Sequence, residues 1–302
     1  MGTTVCRDRS NDQGLVAQRY ADLWRAIQQG NEGLRPSQDA LELLDQIRNA
    51  LDRNASTIYA QNFGRIANTF LVETVTFTSD RTEVLHLRHI DLGTSHALKT
   101  LRPTCRDDIV TAQSLRREAE TGLRFRHPNI LETSTLLRLE DGRPGLVMPW
   151  RPLTLASLSQ EQLLNEQEAS MIVRSVLLAL DTIHREGLVH CDVAPNNIFL
   201  HGYDFEQSLL GDFGIAIPIG SRHRDIGIKR AGSPEFAAPE QLQGEEAHPS
   251  HDIYAIGKLA EKLASKINAP RSIWSELIKQ CCQLRPEDRP QSAREILDMI
   301  SG

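Results

Sequence analysis

The spacing of apolar positions changes period along this chain and divides it. Leu15, Val16, Tyr20, Leu23, Trp24 and Ile27 recur at helical spacing. After a break carrying Gly and Pro, "GNEGLRPS", Leu41, Leu44, Ile47 and Leu51 make a second helical stripe, with Ser37 behind Pro36 as its expected N-cap. Residues 1 to about 60 therefore read as a helical hairpin whose two stripes need cover, from the rest of the chain or from a partner. From about residue 69 the pattern becomes that of strands, in "FLVETVTF", "TEVLHLRHI" and "SHALKTL". A polar helix, "DIVTAQSLRREAETGLRF", ends at "RHPN", and short strands are expected over 130–139 and 145–150.

Beyond Leu155 the pattern is mostly helical. Ala169, Ile172, Val173, Val176, Leu177, Leu180 and Ile183 form one apolar face, closed by Gly187 at the C′ position. Strands first and helices second describe an α+β domain of two lobes, and no internal repeat is evident. The expected boundaries are a helical N-terminal extension over 1–66, a β-rich lobe over 67–150 and a helical lobe over 151–302.

Composition narrows this picture only a little. At 302 residues, 40% hydrophobic and 25% charged, the chain has the make-up of a folded protein with room for two lobes. No apolar run approaches the roughly 18 residues of a membrane span, and "MGTTVCRDRS" lacks the apolar core of a secretory signal. Gly2 opens a stretch that misses the Ser/Thr of an acylation signal. The five cysteines are odd in number and not framework-spaced, so free thiols in a reducing cytoplasm are expected. A net charge of −6 speaks against nucleic acid as a partner, because the polyanion would be repelled.

The chemistry concentrates in "HCDVAPNNIFL", residues 190–200. Asp192, stiffened against Asn197 by Pro195, can orient a hydroxyl nucleophile and accept its proton. Asn197 can offer a neutral oxygen to a hard cation such as Mg²⁺, and Asp212 in "LLGDFGIAI" can add the carboxylate. Two protein oxygens plus phosphate oxygens are a common way to hold that ion.

With these residues in view, the chain resembles the Ser/Thr protein kinases of the eukaryotic-like family. "HCDVAPNN" is similar to their H-R-D-x-x-x-x-N loop, and "DFG" matches their magnesium motif. "SPEFAAPE" resembles the close of their activation segment, with Ala238, Pro239 and Glu240 as A-P-E. "HALK" resembles the strand that carries the phosphate-binding lysine, here Lys99, whose helix partner falls at Glu118. Asp252 resembles the aspartate beneath the catalytic loop, and Arg289 the arginine paired with Glu240. The resemblance covers about residues 69–302, in family order and spacing. It implies a bilobal protein-kinase-like fold and an adenine slot of Val84 and Ala97 above, Phe199 below, Met148 at the back and Arg151 in the hinge.

Three departures bear on activity. Cys191 replaces the arginine that commonly binds an activation-segment phosphate, which implies no phosphorylation control. Ala194 replaces the lysine that neutralises the transferring phosphoryl group, which implies a slow enzyme, with Arg222, Arg224, Lys229 or Arg230 as possible substitutes. The three glycines of the phosphate-covering loop fall on Phe77, Ser79 and Thr82, so hydroxyls of Ser79 and Thr82 or the charge of Arg81 must serve instead. Gly122, one helical turn beyond Glu118, replaces an apolar residue and implies a loosely held helix.

The expected function is transfer of the γ-phosphate of ATP, with Mg²⁺, to Ser or Thr of a protein substrate. Lys99, Glu118 and Asp192 would be the catalytic set, Asn197 and Asp212 the metal ligands, and Ser79 and Thr82 the lid over the phosphates. A pseudokinase acting as a nucleotide-sensing or scaffolding module is the second reading, and a small-molecule phosphotransferase the third. The N-terminal helices are a candidate docking or regulatory element. Removing residues 1–60 is expected to change activity or solubility. A truncated protein that matches the full chain in both assays makes the extension a mere appendage.

Overall fold

The computed structural model describes residues 9–30, 33–47, 64–158, 163–202, 204–228, 231–268 and 270–301, with side chains from residue 18 onward. The chain divides into two units, Met1–Gly64 and Arg65–Gly302.

In the first unit, helix α1 (Arg9–Gln28) leads into strands β1 (Gln29–Gly30) and β2 (Gly33–Leu34), and residues 37–47 form helix α2. Around the "GNEGLRPS" break β1 and β2 pair antiparallel, with Gly33 in the left-handed region at φ +121°. Ala40 N–H donates to Pro36 O, so Pro36 caps α2 and Ser37, the expected cap, lies within the first turn. Of the first stripe, Ile27 is buried while Tyr20, Leu23 and Trp24 are exposed, as is Leu41 of the second. Leu51 lies outside the described residues.

The second unit opens with β3 (Arg65–Ile66), β4 (Phe70–Thr78), β5 (Thr82–His89), β6 (Ser95–Leu101), helix α3 (Ile109–Gly122), β7 (Thr135–Arg138) and β8 (Pro144–Pro149). These six strands form one antiparallel sheet in the order β3-β4-β5-β6-β8-β7. Register decides what the sheet can do. Val84 pairs with Lys99, Lys99 with Leu146, and Ala97 with Met148. Directly paired residues share a face and alternate residues return to it, so Val84, Ala97, Lys99 and Met148 all lie on one side. On that side Leu101 and Leu146 pack with Ala112, Leu115 and Ala119 of α3. The opposite face packs Leu85, Leu87, Leu98 and Val147. The Asp108 carboxylate caps α3 by accepting from Thr111 N–H at 3.0 Å.

The strand expected over 130–139 is shorter. Leu131 N–H donates to Leu210 O, and Leu210 N–H to Asn129 O, so the backbone over 129–131 pairs with the second lobe and only Thr135–Arg138 joins the sheet.

The second lobe continues with β9 (Leu153–Thr154), α4 (Glu166–Arg185), β10 (Leu188–Val189), β11 (Ile198–His201), β12 (Asp204–Leu210), β13 (Ile217–Pro218), α5 (Pro239–Leu242), α6 (Pro249–Ala264), α7 (Ser272–Cys281) and α8 (Ala293–Ser301). An Asn165–Glu168 capping box starts α4, whose buried face is the one its sequence implies, from Ala169 to Ile183. Gly187, at φ +75°, turns the chain into β10. That face forms the main core with Ile253, Ile256, Leu259 and Ala260 of α6, Trp274 and Leu277 of α7, and Ile296 and Leu297 of α8. The three-stranded sheet β12-β11-β9 and the β10-β13 pair interrupt the helical pattern expected after Leu155. Most are only two to four residues long, so they carry little periodic signal. No described helix is long and apolar enough to cross a membrane.

Gly122 leaves no gap at the end of α3. A Cβ there would lie 2.1 Å from Thr133 Oγ1 and 3.0 Å from Thr133 Cβ, so the threonine already fills the space that a side chain would claim. The helix is held closely, contrary to the looseness its sequence implies. Gly→Ala in a helix ordinarily stabilises by about 1 kcal/mol. Here Gly122→Ala is expected to destabilise by about 1–3 kcal/mol through overpacking, and by less than about 1 kcal/mol in a Thr133→Ala background. Urea unfolding of the four proteins measures both; an equal penalty in the two backgrounds contradicts this packing.

Candidate active site

The site begins on the shared face of β5, β6 and β8. Lys99 extends from the centre of β6, flanked by Ala97, and its ammonium meets two carboxylates. Lys99 Nζ donates to Glu118 Oε1 of α3 at 2.8 Å and to Asp212 Oδ1 at 2.9 Å. Gly214 N–H donates to the same Asp212 oxygen at 3.1 Å. A Cβ on Gly214 would lie 3.0 Å from Asp212 Oδ1 and 3.4 Å from Glu118 Oε2, so glycine permits the closure.

One cation shared by two carboxylates, buried Glu118 and half-buried Asp212, leaves an excess of negative charge. Burial is the largest influence on Glu118; Lys99 opposes it, Asp212 adds to it, and the carboxyl is pushed up to about 7. Burial also acts against ionisation of Asp212, but Lys99 and the Gly214 N–H overcome it and hold that carboxyl below its ordinary value. For Lys99, burial works against the charge, and the two carboxylates outweigh it and hold the ammonium above its usual range.

A second anchor lies below. Asp252, fully buried on α6, accepts from His190 N–H and Cys191 N–H at 2.8 Å each, and its Oδ2 lies 2.9 Å from His184 Nε2. This clamp holds Cys191 at φ +65°, a strained value for a residue with a side chain. His190 Nε2 reaches Gly211 O at 3.1 Å, and Gly211 N–H donates to Asn197 O at 2.9 Å. The loop carrying Asp192 is thereby tied to the strand that delivers Asp212, itself at φ +65°. Phe213 follows, stacked on Phe125 at 5.3 Å and set against His190 at 5.4 Å.

Asp192 is heavily solicited. Its Oδ1 accepts from both Ser233 N–H and Ser233 Oγ at 2.8 Å, and its Oδ2 from Asn197 Nδ2 at 2.8 Å. The same Asn197 nitrogen donates to Asp192 O at 2.9 Å, so the amide oxygen is the atom left for a ligand. The Lys99 and Gly214 bonds to Asp212 likewise both fall on Oδ1, leaving Oδ2. Among the described residues no three His, Cys, Asp or Glu side chains cluster as a metal site, so the protein would contribute two hard oxygens here, from Asp212 and Asn197. That donor set fits Mg²⁺ completed by phosphate oxygens and water.

Of the residues expected to enclose an adenine, Val84, Ala97 and Met148 share one face of the sheet through their register. Met148 is half-buried against the α3 cluster, and Phe199, on β11, packs so closely on Gly211 that a Cβ there would meet its ring at 2.9 Å. Arg151 has a buried Nε without a hydrogen-bond partner. The neighbouring Trp150 stacks on His86 at 4.2 Å.

The lid is different. Ser79 and Thr82 face each other across a tight turn: Ser79 N–H donates to Thr82 O at 2.8 Å, Thr82 N–H to Ser79 Oγ at 2.9 Å, and their hydroxyls are 2.9 Å apart. These groups are satisfied by one another. Phe77 is exposed, and Arg81 pairs with Asp108 at 3.3 Å beside the start of α3. Arg222 pairs with Glu246 at 3.1 Å and Arg224 lies near Asp225, so neither stands in the Asp192 bonding network. Lys229 and Arg230 lie outside the described residues.

Sequence reasoning did not single out His184, Thr133 or Gly214. His184 lies 68 positions from the carboxylate it supports, and nothing local marks it.

Comparison with known proteins follows this geometry. The protein kinase domain family model matches residues 80–272. Serine/threonine-protein kinase pkn3 of Myxococcus xanthus is 32% identical over 209 residues, covering 66% of this chain and 38% of that protein. Serine/threonine-protein kinase PknK of Mycobacterium tuberculosis is 37% identical over 149 residues, covering 47% of this chain and 13% of its own length. A hormonally up-regulated neu tumor-associated kinase homolog of Xenopus laevis is 31% identical over 173 residues, 56% of this chain and 27% of that protein. The chain thus spans well under half the length of these relatives.

The raised Glu118 carboxyl makes stability depend on pH. Between 4.5, its unperturbed value, and about 7, the folded protein holds a proton that the unfolded chain has released. The stabilisation is therefore complete below pH 4.5 and is lost as pH rises through about 7. Relative to Glu118→Gln, which does not titrate, the parent is expected to lose on the order of 3 kcal/mol from pH 4.5 to 8. Urea unfolding across that range measures the difference, and a rising trend contradicts the assignment.

Proposed function

The chain belongs to the protein kinase family, and from that premise we propose that it transfers the γ-phosphoryl group of ATP to a serine or threonine hydroxyl of a protein substrate. The observation that carries this reading is the Lys99–Glu118–Asp212 contact, with both bonds under 3 Å, beside an Asp192–Asn197 loop tied to the same strand. A chain that had abandoned nucleotide chemistry has no reason to bury an ammonium between two carboxylates.

The roles follow from atoms left free. Lys99 would bind the α- and β-phosphates, oriented by Glu118, while Val84, Ala97, Met148 and Phe199 enclose the adenine and the hinge backbone at Arg151 meets its edge. Asp212 Oδ2 and the Asn197 amide oxygen would hold Mg²⁺. When bound, that ion supplies charge neutralisation on the phosphate oxygens. Asp192 Oδ2, with one donor so far, orients the acceptor hydroxyl and takes its proton as the oxygen–phosphorus bond forms and the bond from the γ-phosphorus to the bridging oxygen of ADP breaks. Ser233, holding Oδ1 twice, fixes the rotamer of that carboxylate.

Cys191 and Ala194, both buried, supply no cation to the site, which supports a modest rate and independence from activation-segment phosphorylation. The self-satisfied Ser79–Thr82 turn favours a second reading, a nucleotide-sensing pseudokinase. Against small-molecule transfer stands the buried Arg289, bidentate to Glu240 at 2.6 and 3.0 Å, which fixes a protein-kinase style segment. Unpaired Cys105, Cys191, Cys281 and Cys282 support a reducing, cytoplasmic setting. The exposed Tyr20, Trp24 and Leu41 support docking of a partner by the N-terminal helices.

Asp192→Asn is expected to lower phosphoryl transfer to a protein substrate by about 100-fold or more. Magnesium and ATP at about 100 times Kd should add about 3 kcal/mol of stability to parent and variant alike, raising Tm by on the order of 5–10 °C. Equal, negligible transfer by both proteins with a retained Tm shift selects the nucleotide-sensing reading, and an unmoved Tm removes both.

A further inference from the structure

The chain after Asp212 is ordered by a feature that phosphoryl transfer does not itself require. Val189, Cys191, Ile217 and Ala247 form a buried apolar cluster, with Ile215 and Ile226 packed against it. Four pieces of chain meet there: the start of the catalytic loop, the stretch following Phe213, a 3-10 turn over His223–Ile226, and the approach to α6. Backbone bonds stitch the same region. Strands β10 and β13 pair, Ile219 N–H donates to Gly187 O at 2.9 Å, and Gly220 N–H to Ala247 O at 2.8 Å.

His223 is the polar member of this arrangement. It is buried, and its Nε2 lies 2.8 Å from Ile215 O, eight residues back. Burial holds the imidazole below its ordinary pKa, so near neutrality the ring is uncharged and donates Nε2–H to that carbonyl. Ile228 N–H donates to His223 O at 3.0 Å, and Gly227, at φ +80°, closes the turn. Cys191 sits in the cluster as an apolar thiol, its ionisation suppressed first by burial and then by Asp252 and Asp192.

The clamp has a route to the reacting atoms. The Cys191 carbonyl accepts from Gln241 Nε2 at 2.7 Å, and Gln241 also holds Ala231 O at 3.2 Å, two residues before the Ser233 that fixes Asp192. Both ends of the segment therefore bear on the catalytic loop, one through the apolar cluster that holds Cys191 and that Ile226 packs against, the other through Ser233 and Asp192.

We propose that His223 is a positioning residue: its bond to Ile215 O, with Ile226 packed against the cluster that holds Cys191, clamps the segment onto the catalytic loop by neutral packing, in place of a phosphate held by a cation. This rests on the kinase reading for its catalytic consequence but not for its structural one.

The test uses the full chain as parent, His223→Ala and His223→Gln, the last retaining an amide N–H that can reach the same carbonyl. Hydrogen exchange over residues 215–228 is expected to quicken about tenfold or more in His223→Ala, with β4 to β8 within about twofold of the parent. Transfer kinetics should show a KM for protein substrate raised about tenfold and a KM for ATP within about threefold. His223→Gln should bring both measurements to within about threefold of the parent. Unchanged exchange in His223→Ala, or His223→Gln as loose as His223→Ala, overturns the clamp. A loosened segment with unchanged protein-substrate kinetics overturns its positioning role. If the parent transfers no phosphate, the kinase reading fails, and the exchange measurement alone still decides the clamp.

Discussion

A single ammonium group shared between two carboxylates, one buried and one half-exposed, organises this molecule. Lys99 comes from the sheet, Glu118 from α3 and Asp212 from the loop behind β12, so one contact joins the sheet and α3, which share an apolar cluster, to the chain that follows the main core. Such a trio is a poor source of net stability, because desolvating three charges offsets most of their attraction. Its consequence is electrostatic. Burial, with Asp212 adding to it and Lys99 opposing it, pushes the Glu118 carboxyl up to about 7.

The departures from the kinase pattern fall into two kinds. Some are answered locally by packing. Gly122 lacks the side chain its position implies, and Thr133 occupies the volume. Cys191 lacks a guanidinium, and an apolar cluster with Ile215, Ile217 and Ile226 fills the place. The others are not answered by a replacement charge among the described residues. Ala194 is buried in the main core, and Arg222 is engaged with Glu246. Packing can be redistributed among neighbours, whereas a charge beside a transferring phosphoryl group must stand at one place. The combination describes a well-formed catalytic scaffold with a weakened electrostatic clamp.

The lid follows the same logic. Glycines present amide N–H groups because nothing local competes for them, while Ser79 supplies an oxygen that bonds the Thr82 amide across the turn. The polar groups of Ser79 and Thr82 at this turn are therefore engaged within the hairpin, which opposes its use as an anion cradle.

Patterns with a fixed period were legible in the chain itself. The strands that became β4, β5 and β6, the buried face of α4 and the fold class all follow from local alternation, and the paired lysine and glutamate follow from spacing within a family pattern. What the sequence could not carry was every feature made between distant segments. The backbone over 129–131 leaves the sheet to pair with Leu210, His184 reaches Asp252 across 68 positions, and Thr133 meets Gly122 only when the chain after α3 folds back on that helix. Periodicity reports which face of an element is apolar, but not which neighbour covers it. Hydrogen-bond partners and close contacts are chosen by tertiary packing, and so the clamp at His223 exists only in the folded chain.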